Sequence, residues 1–448
     1  MKTNQDDTLT ENCFEFFSSR LDQLSSYQRE YQKKFQDELG FESYSGWHFP
    51  CSPFFVTECH ARKIREDLNT LINLAHKLTD LIFSGSWGAH AAYLGLNTQQ
   101  KDLIAKFAHR PMNQRVARPD VFLSEDSIKV LELNIDTGIG QISSCHTRLQ
   151  YYKNNTVLSE YFSSNGIEVS YLNPLPRLAD YLRRLPQPTW VMQSRRGQPN
   201  IFFDGFDKIE NQYLHQALGE IFTCHPEDIQ LQGQSLYVEK KKIKSVYRYF
   251  SPFQLLNRVK EFESILDCLS QNPEIEFDCA PNSLLMENKK NFLLFLNEEN
   301  HRLFSEKERD AIRRCIPKTY LVEERSASEI EGNKDNYVLK KTASHSGKHV
   351  LIGNSLTLVE FQIALKKAIS EGDWIAQELV KGREHPTIVL SEGKLHKVKI
   401  PFVAHPFLID GDLCGIDGHI AIYDPNKKHF LNSPGHHEIG ACAVALVH

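Results

Sequence analysis

Apolar residues recur at three- and four-residue steps through the first forty positions. Phe14, Phe17, Leu21, Leu24, Tyr31, Phe35 and Leu39 fall on one face of a 3.6-residue period, which predicts one long amphipathic helix closed by Gly40. The same period returns in ARKIREDLNTLINLAHKLTDLIF, where Ile64, Leu68, Leu71, Ala75, Leu78 and Leu81 or Ile82 share a face. Both stripes read as packing surfaces, because a helix apolar on one side must bury that side.

After these helices the period shortens to two. RPDVFL and IKVLELNID are β-rich runs flanking SEDS, four residues with turn chemistry. A hairpin centred near Asp126 opposes Asp120 to Glu132 and Arg118 to Asn134, and residues two apart share a face, so all four polar groups stand together. The other side carries Val121, Leu123 and Val130, with Leu131 or Leu133 depending on where the pleat breaks. Opposed carboxylates repel unless a cation sits between them. Two acids and a carbonyl oxygen suit Mg²⁺, which fills its shell with water and phosphate. A solvated hairpin face with a cross-strand Arg–Asp pair fits the spacing equally.

Further on, IEVSYL and TWVMQS are short apolar or β-branched runs separated by a proline-punctuated stretch. QYLHQALGEIF reads as a helix, KSVYRYF (244–250) as a strand and FQLLNRVKEFESILDCLS as a helix. This alternation predicts a small α/β unit. From about residue 283, NSLLMENKKNFLLFL and a helix through EKERDAIRRC lead into a strand–loop–strand–helix–strand run, and the end of the chain reads as strands. In YVLKKTASHSGKHVLIG the turn ASHSG, with Ser344, Ser346 and Gly347, offers backbone N–H groups and two hydroxyls to a phosphate, and Lys340 adds a point charge. It is no Walker loop, since GxxxxGK[ST] is absent and a strand follows. An ordinary hairpin turn has the same composition. The strand WIAQELV ends with backbone, at Leu379 and Val380, that suits an adenine edge while Gln377 and Glu378 face outward; a plain core strand reads alike.

Length and charge narrow the class. A chain of 448 residues predicts two or three domains, and 41% hydrophobic with 24% charged residues excludes a disordered polymer. A net charge of −5 and a pI near 6.4 make no case for nucleic acid or an acidic membrane as partner. No apolar signal-peptide core opens the chain, and no run approaches the roughly 20 apolar residues of a membrane span. The ten cysteines form no CxxC pair, and Cys51, Cys59 and His60 lack the second half of a zinc site. A cytoplasmic protein with reduced thiols is expected.

Taken in order, these pieces resemble the circularly permuted branch of the ATP-grasp superfamily, which includes glutathionylspermidine synthetase-like carboxylate–amine ligases. That branch carries Arg-x-Asp on one strand and Glu-x-Asn on the next. The resemblance implies that Asp120, Glu132 and Asn134 hold Mg²⁺ on ATP and that Arg118 lies over the reacting phosphoryl group. SVYRYF is similar to a substrate strand and makes Arg248 a substrate residue. ENKKNFLLFL resembles a helix start whose lysine reaches the ATP phosphates, with Lys290 fitting the apolar spacing better than Lys289. YVLK is similar to the strand with the second nucleotide lysine, Lys340, followed by Ser344, Ser346 and Gly347, and WIAQELV to the adenine hinge at Gln377, Glu378, Leu379 and Val380. Two departures stand out. In the first, Lys341 replaces a frequent proline and the loop is glycine-poor. The C-terminal strands lack an arginine found in many relatives, and Asn432, near His436 and His437, is assigned to a substrate loop.

The resulting expectation is an α/β (α+β) protein with an ATP-grasp fold in circularly permuted order. It comprises an N-terminal helical region (1–110), the metal-binding hairpin with a small α/β unit (111–275), and the nucleotide-binding lid with C-terminal strands (276–448). The implied activity joins a small-molecule carboxylate, an amino acid or peptide, to an amine, with ATP and Mg²⁺ as cofactors. A phosphotransferase and a non-catalytic nucleotide-binding protein are the competing classes.

Overall fold

A computed structural model describes residues 5–39, 50–110, 115–124, 127–135, 142–192, 213–214, 221–250, 255–256, 259–278, 280–344, 349–391, 393–421 and 439–447. The centre is a nine-stranded sheet. Its main path runs Phe54–Thr57, Ile439–Val447, Asp412–Ala421, Lys394–Ile409, Asp120–Leu123 and Ile128–Glu132. Phe54–Thr57 lies parallel to the C-terminal strand, and the other pairs along this path are antiparallel. The acidic hairpin is therefore bolted, through Val121 and Phe122, onto Ala404 and Val403 almost 300 residues later.

The first 110 residues are not purely helical, since Phe54–Thr57 is a strand of this sheet. The helix that follows, Glu58–Phe83, starts where the Thr57 hydroxyl accepts the His60 N–H, an N-cap. Its buried Ile64, Leu68, Leu71, Ala75 and Leu78 pack with Phe54, Val56, Val121, Val130 and Phe402, as their periodicity predicts. The expected single N-terminal helix is two, Gln5–Ser18 and Leu21–Leu39. At the break Arg20 N–H bonds three residues back to Phe17, and the Ser18 and Ser19 hydroxyls donate to the carbonyls of Phe14 and Phe16. Serine hydroxyls compete here with the helical ladder. Gly40 lies outside the described residues.

The proline-punctuated stretch contains a helix, Pro174–Arg184. Both prolines sit in its first turn, where no N–H is required, and Asn173 accepts the Leu175 N–H. Four parallel strands follow in the order Glu276–Asp278, Ser245–Arg248, Thr189–Met192, Ile221–Cys224. The last begins inside the expected helix QYLHQALGEIF, because Ile221 and Phe222 pair with Thr189 and Trp190. Only Tyr213 and Leu214 of that helix's remainder are described, and both are helical. A second four-stranded sheet, antiparallel throughout, runs Thr319–Leu321, Trp374–Glu378, Tyr337–Lys341, Val350–Ile352. The helix Leu358–Glu371 covers one side of it with Phe361, Leu365 and Ala368. Among the described residues no helix is long and apolar enough to cross a membrane.

Candidate active site

The hairpin has the register its pattern predicts at its open end. Asp120 opposes Glu132, and the Arg118 N–H donates to the Asn134 carbonyl at 2.9 Å. One residue further in, the register slips, so that Val121 faces Val130 and Leu131 is left as a bulge. The pleat therefore breaks at Leu131. Leu133 joins Val121, Leu123 and Val130 in the core, while Asp120 and Glu132 stay together.

The opposed acids have separate partners. Lys289 Nζ lies 2.6 Å from Glu132 Oε1 and donates to the Ser344 carbonyl at 2.7 Å. Asp120 Oδ1 is 2.8 Å from His405 Nδ1, accepts the Asn134 amide N–H at 3.2 Å, and is 3.9 Å from an Arg118 guanidinium nitrogen. Lys289 is 5% exposed and His405 3%. The Lys289 ammonium is thus taken out of water beside the half-buried Glu132 carboxylate, where a Coulomb interaction is stronger than at the surface.

Lys340 enters from the second sheet. Its Nζ donates to Gln377 Oε1 at 2.6 Å and reaches the bulged Leu131 carbonyl at 3.4 Å. Burial, and then the neighbouring Lys289 charge, push its ammonium down from 10.5 to about 8, against the pull of Glu132 and Asp120. Lys341 points the other way, to Glu371 and Asp373 at 3.3 and 3.4 Å. Two lysines from separate elements thus converge on the two acids.

Lys290, which the apolar spacing favours, is placed elsewhere. Its Nζ donates to the Tyr93 carbonyl at 2.6 Å and sits 4.8 Å above the Tyr93 ring. The pair lies in a turn, not a regular helix: Lys290 caps Asn291–Leu296, and the Lys289 N–H donates to the Thr342 carbonyl at 3.0 Å. That bond ties Lys289 to the end of the Lys340 strand. Gln377 also departs from expectation, turning inward to Lys340, fully buried, with an Nε2 that has no partner among the described residues. Glu378 is exposed as expected. The Glu378 and Leu379 N–H groups are bonded at 2.7 Å to the carbonyls of Lys318 and Asn336, and Val380 follows half-buried. Those two donors are already engaged by backbone carbonyls that flank the sheet.

Arg248 ends a strand of the parallel sheet, fully buried, donating to the Phe250 carbonyl and lying 3.5 Å from the Ser283 hydroxyl. Ser344 touches the cluster through its carbonyl, and its hydroxyl is 3.4 Å from His349. Ser346, Gly347, Asn432, His436 and His437 lie outside the described residues. No group of three or more His, Cys, Asp or Glu among the described residues is placed to hold a metal, and the cysteines described are free thiols. The donor set at the hairpin is two carboxylates with one amide, which suits Mg²⁺, an ion held by one or two carboxylates and completed by phosphate and water.

Sequence reasoning missed His405. Nothing in FVAHPFLID marks it; only the register between Lys394–Ile409 and Asp120–Leu123 brings it to Asp120.

No family model and no curated protein matches the sequence. Among solved structures the fold is similar to that of a glutathione synthetase-like effector from Globodera pallida in its apo form. The TM-score is 0.59 at 12% identity, covering 96% of this chain and 97% of that one. A protein named as a gamma-glutamylcysteine synthetase from Methylobacillus flagellatus matches at 0.34 and 12%, over 88% and 89% of the two chains. D-alanyl-alanine synthetase A from Vibrio cholerae matches at 0.29 and 15%, over 54% and 68%. The first likeness spans nearly the whole length and shows the fold alone: a mixed α/β architecture shared with the glutathione synthetase-like effector.

Proposed function

We propose that the protein is an ATP-dependent carboxylate–amine ligase that releases ADP and phosphate. The observation that carries the reading is the meeting of Asp120 and Glu132 with two buried lysines, Lys289 and Lys340, from separate elements. Opposed acids with buried ammonium groups suit a metal–polyphosphate, whose charges alternate in the same way.

In this reading Asp120, Glu132 and Asn134 hold Mg²⁺, which when bound neutralises the phosphate oxygens and polarises the γ-phosphorus. Lys289 leaves Glu132 for a phosphate oxygen, and Lys340 supplies the second ammonium. The turn with Ser344, Ser346 and Gly347 covers the phosphates, and the backbone at Leu379 and Val380 faces the base beside Gln377 and Glu378. Arg118 stabilises charge on the transferring group. Arg248 and Asn432 belong to the substrate side.

A substrate carboxylate oxygen attacks the γ-phosphorus as the bond to the ADP oxygen breaks, giving an acyl phosphate. The amine lone pair then attacks the acyl carbon, phosphate leaves, and the amine proton is lost to solvent. These residues act by positioning and charge stabilisation, so no serine or cysteine nucleophile is required. Chain order, with the acidic hairpin before both lysines, supports the circularly permuted form of the ATP-grasp fold.

The test is an ADP-release screen over amino acids, dipeptides and polyamines, with mass spectrometry of the products. An amide product supports the reading. A phosphoester product, or no ADP release with any substrate while ATP binds, overturns it.

A further inference from the structure

Four neighbouring strands of the large sheet carry one polar residue each at the same level. His405 is directly opposite Asp417 across one strand pair, and Asp120 is directly opposite Glu132 across another. Between the two pairs, Ala404 faces Val121, so the next position inward brings His405 beside Asp120, where the contact is 2.8 Å. The row thus reads Asp417, His405, Asp120, Glu132. Its ends are closed by cations: Arg148 Nε donates to Asp417 Oδ1 at 2.8 Å, and Lys289 holds Glu132. Asp417 and Arg148 are as buried as any core residue.

We infer that His405 is a positioning residue for Asp120, fixing the carboxylate in the orientation from which it takes the metal. The inference rests on the ligase reading, in which Asp120 is a metal ligand.

The physical argument is one of freedom. Asp120 opens its strand next to a register slip, where the ladder hydrogen bonds that would hold it are interrupted. Its side chain is half-buried and its carboxylate can rotate about two bonds. His405 lies inside the 16-residue strand Lys394–Ile409, directly paired with Asp417 on one side and next to the Ala404–Val121 pair on the other, and presents Nδ1 from fixed backbone. A donor on rigid structure limits that rotation, together with the Asn134 amide and the Arg118 guanidinium that also reach Asp120 Oδ1. Outer partners of this kind govern metal affinity nearly as strongly as the ligands themselves. The buried Arg148–Asp417 pair, directly across from His405, locks the neighbouring strand at the same level and leaves that side of the row already neutralised.

The experiment is calorimetric titration of ATP into the full chain, with and without Mg²⁺, for the wild type and for Asp120→Asn, His405→Asn, His405→Gln and His405→Phe. Thermal melting of each apo variant monitors folding. Asparagine places its amide N–H where Nδ1 stands; glutamine places it a bond too far, and phenylalanine has none. Expected is a loss of Mg²⁺-dependent ATP affinity of about tenfold or more in His405→Phe and His405→Gln. Affinity measured without Mg²⁺ stays as in the wild type, and His405→Asn is restored. If phenylalanine prevents folding, the asparagine–glutamine comparison decides alone. Wild-type Mg²⁺ dependence in both His405→Gln and His405→Phe, while Asp120→Asn loses it, overturns the positioning role and leaves the ligase reading intact. Absence of any Mg²⁺-dependent ATP binding in the wild type overturns the ligase reading, and the inference falls with it.

Discussion

Two pairs of adjacent lysines, Lys289–Lys290 and Lys340–Lys341, divide their labour in the same way and for different reasons. In each pair one ammonium joins the cluster and the other leaves it. On the strand Tyr337–Lys341 the split follows from alternation: Lys340 goes inward to Gln377, and Lys341 goes outward to Glu371 and Asp373. At Lys289–Lys290 no period operates, because the residues fall between two short helices, Leu284–Glu287 and Asn291–Leu296. There the outcome is set by tertiary hydrogen bonds, from the Lys289 N–H to Thr342 and from Lys290 Nζ to Tyr93. A regular element fixes which side chain faces a site; a turn leaves that to the surrounding structure.

The largest effect belongs to Glu132, the anchor of the lysine that no period fixed. Opposed acids lead one to expect that deleting one relieves repulsion. The structure reverses this, since Glu132 compensates Lys289, whose charge helps depress the neighbouring Lys340. Glu132→Ala leaves two neighbouring buried ammonium groups with one counter-charge fewer. We expect a loss of about 1–3 kcal/mol, the scale of leaving the buried Lys289 without its half-buried partner, together with loss of Mg²⁺–ATP binding. Chemical denaturation measures the first and calorimetry the second. In Glu132→Ala/Lys289→Met both charges go, and most of the stability returns while ATP binding stays lost. A double variant no more stable than the single one refutes the assigned pairing.

Next comes the contrast within the turn. Lys289→Met should weaken ATP binding by roughly one to two orders of magnitude, the cost of losing a hydrogen bond to a charged group. Lys290→Met should change it little and instead loosen the packing at Tyr93. The reverse order would restore Lys290 as the phosphate lysine and mean that the turn rearranges when nucleotide binds.

What could be read from the chain follows the same division. The acidic register, the helix Glu58–Phe83, the helix Glu306–Cys315 and the Lys340 strand all follow from periods of 2 or 3.6. Errors cluster where a local signal was ambiguous. Pro174 and Pro176 look like breakers, yet they open a helix, because a first turn tolerates a missing N–H. The break at Ser19–Arg20 falls inside a continuous apolar stripe, and only side-chain bonds to the backbone reveal it. Gln377 is expected to face outward with Glu378, but successive strand residues alternate, and the register puts Gln377 on the face of Lys340. His405 was invisible for another reason: its partner lies 285 residues away, and no local pattern encodes a pairing between distant strands.

Lys340 brings a pH dependence that Lys341 does not share. Its ammonium is pushed down to about 8 from an ordinary 10.5, so between those values the unfolded chain holds the proton and the folded chain does not. Stability therefore rises with pH across that window, because the buried charge is relieved. Under the proposed function, phosphate binding should run the opposite way, since only the charged form of Lys340 attracts an anion. At one pH unit above its pKa roughly a tenth of the molecules are competent, and apparent ATP affinity should fall roughly tenfold. Lys340→Arg, which keeps its charge throughout, should flatten the profile. A wild-type affinity unchanged between pH 7 and 9 would remove Lys340 from the phosphate site.

The smallest expected effect is at Lys341, and it closes the comparison on the strand. Its side chain is 28% exposed and its partners Glu371 and Asp373 are 32% and 39% exposed, so solvent screens both pairs. Pairs of this kind contribute about 0–1 kcal/mol, and salt weakens them further. Lys341→Ala should therefore shift the denaturation midpoint slightly, by an amount that shrinks as salt is raised. It should leave ATP affinity within about twofold of the wild type, since the pairs it breaks lie on the opposite face of the strand from Lys340. Titrating ATP into Lys340→Ala and Lys341→Ala under one buffer makes the test sharp, because the residues are chemically identical and adjacent. Equal losses would mean that net charge, not position, governs binding. A larger loss at Lys341 would place the strand one residue out of register, and with it the contact to Gln377 and the convergence of the two lysines on Asp120 and Glu132.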